Sequence, residues 1–311
     1  MSALVRESLT RTVGPPSMAA WRRLSAWRRA LATAQLVASR RRAAIGRLLP
    51  NAIILGAQKA GTTALFALLS RHPMVLTSCI KEVHYFDLQY DRAVDWYRAH
   101  FPLVREAEEV ASGNTCPVVL EASPYYLFHP AVPSRIAQII PDTRFIVLLR
   151  DPVARAWSHY WHERTRGYEL RSADAAFQSE AQRLRGEEER LLAEPRYRSH
   201  AHRHFSYVAR GRYATQLERW LGWFPRPQFL VLRSEELFAS SAATLSLTLR
   251  FLGLPDEADL KAESLLGPRN SGEYPPLPEP LRRRLEVQLE ESNAGLQTLL
   301  GPAFVWSNPG R

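Results

Sequence analysis

The sequence predicts an α/β fold: a mostly parallel sheet flanked by helices on both faces. Four short runs dominated by apolar residues read as buried strands, at 52–55, 118–120, 144–149 and 228–232. Helical patterns lie between them, and strands alternating with helices imply parallel pairing. The length also fits, because 311 residues with 46% apolar and 23% charged content suffice to bury a core without staples. The body is read as one domain, 49–311, preceded by a basic helical extension, 1–48.

The N-terminal segment carries the charge. Residues 1–50 hold ten arginines and one acid, Glu7, which leaves 31 bases against 30 acids in the rest. The formal charge of +10 therefore describes a tail, not a folded basic face, and nucleic acid is not an expected partner. Residues 1–16 end in Gly14-Pro15-Pro16 and read as disordered. From Met18 to Leu49, Trp21, Leu24, Trp27, Leu31, Leu36 and Val37 alternate with paired and tripled arginines. Three readings stay open: a solvated helix packed on the domain, a helix on an anionic membrane surface through 18–48, or an arginine-rich transit peptide. A secretory signal does not fit, since the best apolar run, Ala30–Ala38, contains Thr33 and Gln35 and lies deep in the chain. No stretch reaches the roughly 18 apolar residues of a membrane span. Two cysteines, Cys79 and Cys116, exclude a disulfide scaffold or a cysteine-rich zinc fold and read as free thiols.

In the body, Ala52-Ile53-Ile54-Leu55 is the first strand, and a helix from Thr62 to Arg71 stops before Pro73. Further helices are expected over 92–100, 132–140, 153–166, 174–193, 206–223, 241–252 and 278–300. Glu187-Glu188-Glu189 with Arg183, Arg185 and Arg190 reads as a solvated helix face. Arg282-Arg283-Arg284 reads as another. His200, His202 and His204 have no acidic or cysteine neighbour in sequence, so a polar loop is expected there rather than a metal site.

Between the first strand and helix lies Gly56-Ala57-Gln58-Lys59-Ala60-Gly61-Thr62-Thr63. Glycines permit a tight turn that aims backbone N–H groups at an anion, and the helix N-terminus adds a favourable dipole. Thr62 and Thr63 can add hydroxyl donors. An ordinary βα turn with a capping threonine is the plain alternative. A nucleoside-triphosphatase loop places lysine directly after its second glycine. Here Thr62 holds that position and the lysine lies inside the loop, as Lys59. It is one of only three lysines, with Lys81 and Lys261. A cation there suits a departing phosphate oxygen without bound magnesium.

The run LGAQKAGTTAL resembles the 5′-phosphosulfate loop of sulfotransferases that use 3′-phosphoadenosine 5′-phosphosulfate (PAPS). LLRDPVARAWSHY, Leu148–Tyr160, is similar to that family's 3′-phosphate motif, which implies Arg150 and Ser158 as ligands of the 3′-phosphate. The planar fork of an arginine at a strand end suits phosphate oxygens. Lys81-Glu82-Val83-His84-Tyr85-Phe86-Asp87 resembles the segment of heparan sulfate-type and bacterial carbohydrate sulfotransferases that carries the catalytic glutamate. This implies Glu82 as the base, with His84 in reserve; the aromatic neighbours are expected to raise the Glu82 pKa. The resemblance spans about Asn51–Trp306 and includes WYRAHFP, Trp96–Pro102. It departs at Glu121-Ala122-Ser123-Pro124-Tyr125-Tyr126, where Ala122 replaces a lysine common in glycosaminoglycan members. Arg269, Asn270, Ser271 and Gly272 fall where the family closes a loop over PAPS, and Gly211-Arg212-Tyr213 begins a helical run common to it.

The resemblance implies a P-loop-like fold. It also implies in-line transfer of a sulfuryl group from PAPS to a carbohydrate or other hydroxyl- or amine-bearing acceptor, leaving adenosine 3′,5′-bisphosphate. The donor ligands would be Lys59, Ala60, Gly61, Thr62, Thr63, Arg150, Ser158 and residues 269–272, with no metal required. The rival readings are a P-loop small-molecule or nucleotide kinase and a non-catalytic nucleotide-binding protein. The expected location is cytoplasmic or membrane-peripheral, with organelle import the alternative.

Overall fold

Five parallel strands form a single sheet in the order β2-β3-β1-β4-β5. They are β1 (Ala52–Gly56), β2 (Val75–Thr77), β3 (Val118–Ala122), β4 (Arg144–Leu149) and β5 (Phe229–Arg233). The structure, a computed structural model, describes residues 26–41, 43–113, 115–256 and 274–306. The expectations for 1–25 and for Arg269, Asn270, Ser271 and Gly272 lie outside the described residues. Every residue of β1 and β3 is buried, as is all of β4 after Arg144. Burial on both faces is why these strands read as continuous apolar runs. Edge strand β2 escaped notice because Val75-Leu76-Thr77 is too short for any periodicity.

The helices follow the sequence pattern with two corrections. The N-terminal helix, α1 (Ala26–Arg41), buries Val37 and contacts α4, so the packed reading holds for this part of it. It is followed by α2 (Thr62–Leu69), α3 (Tyr85–Leu88), α4 (Val94–Arg98), α5 (Val104–Val110) and α6 (Val132–Ile139). After β4 come α7 (Pro152–Thr165), α8 (Ala173–Leu184), α9 (Glu187–Ala193), α10 (His200–His204) and α11 (Tyr213–Leu221). Last are α12 (Ser234–Ala239), α13 (Ser241–Leu252) and α14 (Glu279–Leu300). The helix expected over 174–193 breaks at Arg185-Gly186, and its Arg183 is no solvated charge: it pairs with buried Glu169 at 2.5 Å. The HAHRH run is the helical turn α10, with His202 and His204 buried, not a polar loop. No helix among the described residues is long and apolar enough to cross a membrane.

Strand order places the functional end. The chain runs from β1 to β3 on one side, then crosses β1 to form β4 on the other. A reversal of this kind opens a crevice at the carboxyl ends of the strands, where ligands bind in open α/β sheets. A second core of Trp157, Tyr160, Phe177, Tyr207, Leu281, Leu285 and Leu289 clamps α7 against α8 and α14. The helix leaving the crevice is thereby held rigid.

The interior also holds ionisable groups. Burial pushes His100 and His129 down to about 4, and His159 and His202 well below the usual 6.5. Burial pushes the Glu121 and Glu180 carboxyls up to about 7. Below pH 6.5 the unfolded chain protonates four histidines that the native state keeps neutral, so their stabilisation is lost as pH falls toward 4. The two carboxyls act in the opposite sense, since they protonate in the native state first, and they are outnumbered. Urea midpoints are expected to fall in the order pH 7, 6, 5; a higher midpoint at pH 5 than at pH 7 would contradict this balance.

Candidate active site

The phosphate-type loop hangs from the end of β1. Lys59 has φ +72° and Gly61 φ +93°, so the chain turns back on itself before entering α2. Non-glycine residues rarely adopt this region, and strain of this kind collects at functional sites. The turn leaves the amides of Lys59, Gly61, Thr62 and Thr63 without an acceptor among the described residues. No side chain caps α2. Four free N–H groups at the N-terminus of an eight-residue helix form an anion cradle. A Cβ at Gly61 would stand 3.1 Å from the half-exposed ring of Phe238. Gly61→Ala is therefore expected to cost about 1–2 kcal/mol from its left-handed backbone alone. An unchanged denaturation midpoint would refute this.

Arg150 emerges at the end of β4 and its Nη1 donates to the Lys59 carbonyl at 3.2 Å. Its own carbonyl accepts from the Tyr213 hydroxyl at 2.9 Å, which gives the Gly211-Arg212-Tyr213 run a positioning role. Asp151 caps α7, accepting from the Ala154 N–H at 2.7 Å, with Pro152 in the first turn. Asp151 is thus a helix cap. Ser158 follows two turns along α7 and is buried. Burial, then the Arg150 charge, holds the Lys59 ammonium below its usual range. These two cations and the free amides sit together at the crevice, and neither cation has an ionic partner among the described residues. That donor set suits an anionic ligand with two phosphates.

Behind the loop, buried Arg210 donates to Gln58 and to the carbonyls of His202 and Arg203 at 3.1 and 2.8 Å. His162, one turn beyond Ser158, was not singled out from sequence. Burial first, then the Lys59 charge, lowers its pKa, while Glu163 and Glu82 raise it. The signal available was its i+4 spacing from Ser158 on one helix face.

On the facing side, Glu82 is about one-third exposed. Its Oε2 lies 2.9 Å from His84 Nε2, and its Oε1 accepts from Lys81 Nζ at 3.3 Å. His84, at φ +56°, sets its Nδ1 2.7 Å from Asp87. The expectation of a raised Glu82 pKa is overturned. Burial does push it up, but the His84 hydrogen bond and the Lys81 charge prevail and hold it at about 2. For His84, burial pushes down, but Asp87 and Glu82 prevail and lift it to about 10. The three side chains form a carboxylate–imidazolium–carboxylate row.

Glu121 anchors this row from below. Fully buried, it accepts from the Tyr97, Ser123 and Tyr126 hydroxyls. Ser123 accepts the His84 N–H at 3.2 Å, and Tyr126 accepts the Tyr85 N–H at 2.8 Å. The Glu121–Tyr126 stretch after β3 therefore fixes the turn that carries Glu82 and His84, a link no sequence spacing displays. Among the described residues there is no cluster of metal-ligating side chains.

The sulfotransferase domain family matches residues 49–265. The mouse heparan sulfate glucosamine 3-O-sulfotransferase 6 is 29% identical over 288 residues, covering 84% of this chain and 74% of its own. The human bifunctional heparan sulfate N-deacetylase/N-sulfotransferase 3 is 29% identical over 289 residues, covering 81% of this chain, which spans only 30% of that protein. The membrane-associated sulfotransferase kil1 of Dictyostelium discoideum is 26% identical, covering 84% of this chain and 67% of its own. Among solved structures, a sulfotransferase from Alicyclobacillus acidocaldarius superposes with TM-score 0.59 at 27% identity, over 81% of this chain and 96% of that one. With its parallel sheet, loop and strand-end arginine of that kind, the chain belongs to the sulfotransferase domain family.

Proposed function

We propose that the chain transfers a sulfuryl group from PAPS to a hydroxyl or amine of a carbohydrate acceptor. The observation that carries this reading is the contact of Arg150 with the Lys59 carbonyl, which sets two anion-binding elements side by side without acidic partners. The carbohydrate acceptor is supported by the heparan sulfate relatives. When bound, PAPS supplies the sulfuryl group and a phosphate leaving group.

In this scheme Lys59 and the free amides of Gly61, Thr62 and Thr63 hold the 5′ end and stabilise charge growing on the departing phosphate oxygen. Arg150 and Ser158 hold the 3′-phosphate. Glu82 takes the acceptor proton as the acceptor oxygen or nitrogen bonds to sulfur and the sulfur–phosphate oxygen bond breaks. A carboxylate at about 2 is a weak base. It suffices where the attacking oxygen turns acidic only late in bond formation. His84, protonated at neutral pH, cannot accept that proton; it orients Glu82 and is itself steadied by Asp87. The scheme needs no metal.

Incubation with sulfur-labelled PAPS and a saccharide panel tests the reading: label should appear in a saccharide. Phosphate transfer from ATP–Mg²⁺ in its place would select the kinase reading. The proposal extends to a cytoplasmic, membrane-peripheral location in which 18–48 stays on the domain and turns its arginines to an anionic surface, supported by the eight arginines of that span. Sedimentation with anionic vesicles at low salt tests that part.

A further inference from the structure

Resting on the carbohydrate reading above, we infer that Tyr168, backed by His204 and flanked by His200 and Arg166, is a platform for a pyranose ring of the acceptor, with Arg166 pairing an acidic substituent on it. The argument starts at the end of α7. Gly167, at φ +78°, terminates the helix: its N–H donates to the Arg164 carbonyl at 3.1 Å and the Tyr168 N–H to the Glu163 carbonyl at 3.0 Å. This pair of bonds is the Schellman arrangement, which fixes the first two residues past a helix. Tyr168 is therefore held by backbone geometry rather than left on a loose loop.

Its ring is also backed. The His204 ring stacks on it at 4.3 Å and 29°. His204 is tied by Nδ1 to the buried Glu163 carboxylate at 2.8 Å, and the His200 ring lies 4.6 Å from His204. Tyr168 nevertheless stays 43% exposed, with His204 stacked on its ring and the Arg166 guanidinium carbon 5.9 Å from the ring centre. A lone exposed aromatic needs no explanation. An aromatic ring fixed by a helix cap and propped by a buried acid–imidazole pair is a built surface. Such a face suits the C–H side of a sugar ring, with the phenol tip free for its hydroxyls.

Its position suits an acceptor. Ser158, His162 and Arg166 follow one another at four-residue steps, so each lies about 6 Å further along α7. Arg166 Nη1 lies 3.2 Å from His162 Nε2, and its guanidinium carbon lies 5.9 Å from the Tyr168 ring centre. His162, which feels the charges of Lys59 and Glu82, is thus followed outward by Arg166 and then Tyr168. The nearby acids are engaged internally: Glu163 by His204, and Glu169 by Arg183 and Tyr207. The exposed charge at the platform is cationic, which favours a uronate-type carboxylate or a sulfate.

The test measures calorimetric binding of an octasaccharide of alternating uronic acid and N-acetylglucosamine, and of its carboxyl-reduced form. Tyr168→Ala should weaken the uronate octasaccharide about fivefold to tenfold, and Tyr168→Trp should restore it. Arg166→Ala should weaken the uronate form and leave the carboxyl-reduced form unchanged. All variants should bind adenosine 3′,5′-bisphosphate like wild type. Unchanged octasaccharide affinity in both alanine variants overturns the platform, as does a wild type that binds neither saccharide. Loss of bisphosphate binding by wild type would instead sink the donor reading, which the saccharide titrations do not measure.

Discussion

Glu82→Gln is expected to lower kcat by about 10²–10⁴-fold, the usual contribution of a positioned general base. The affinity for adenosine 3′,5′-bisphosphate should stay at its wild-type value. The substitution is nearly isosteric, and the amide oxygen can still accept from Lys81 or His84, so the loss reports proton acceptance rather than collapse of the row. The pH dependence sharpens the prediction. Glu82 is ionised above about 2 and His84 is protonated below about 10, so neither group titrates near neutrality. The wild-type rate should therefore be level across neutral pH as far as this pair is concerned, and should decline in alkali as His84 loses its proton. A rate within tenfold of wild type for Glu82→Gln would remove Glu82 from the role of base.

The ion pairing of Glu82 also marks where sequence reasoning reached its limit. The segment was legible through its resemblance to the glutamate-bearing segment of carbohydrate sulfotransferases. Its electrostatics were not legible. Aromatic neighbours suggested desolvation and a raised pKa, but the outcome depends on which cation stands within 3 Å of which oxygen. The positive φ of His84 and the hydroxyls around Glu121 set that distance, and both arise from chain segments nearly forty residues apart. The four main strands were legible for a simpler reason: burial on both faces leaves an unbroken apolar run. The Gly56–Thr63 loop was legible because it must join such a strand to a helix. The HAHRH run was misjudged because its burial comes from tertiary partners: Tyr125 bonds His202 at 2.7 Å and Glu163 bonds His204.

Arg150→Ala should separate the two anion cradles. One charge-assisted contact to phosphate contributes about 1.5–3 kcal/mol, so the Kd for adenosine 3′,5′-bisphosphate should rise roughly 10- to 150-fold. Adenosine 5′-phosphate, which lacks the 3′ group, provides the control. If Arg150 grips the 3′-phosphate, the affinity for this shorter nucleotide should change little. If its main service is the hydrogen bond to the Lys59 carbonyl, the loop loosens and both nucleotides weaken together. Arg150→Lys divides the cases further, since it keeps the charge and loses the planar fork. An intermediate bisphosphate affinity with unchanged 5′-phosphate binding places the arginine on the ligand. Equal losses for the two nucleotides would reassign it to the scaffold.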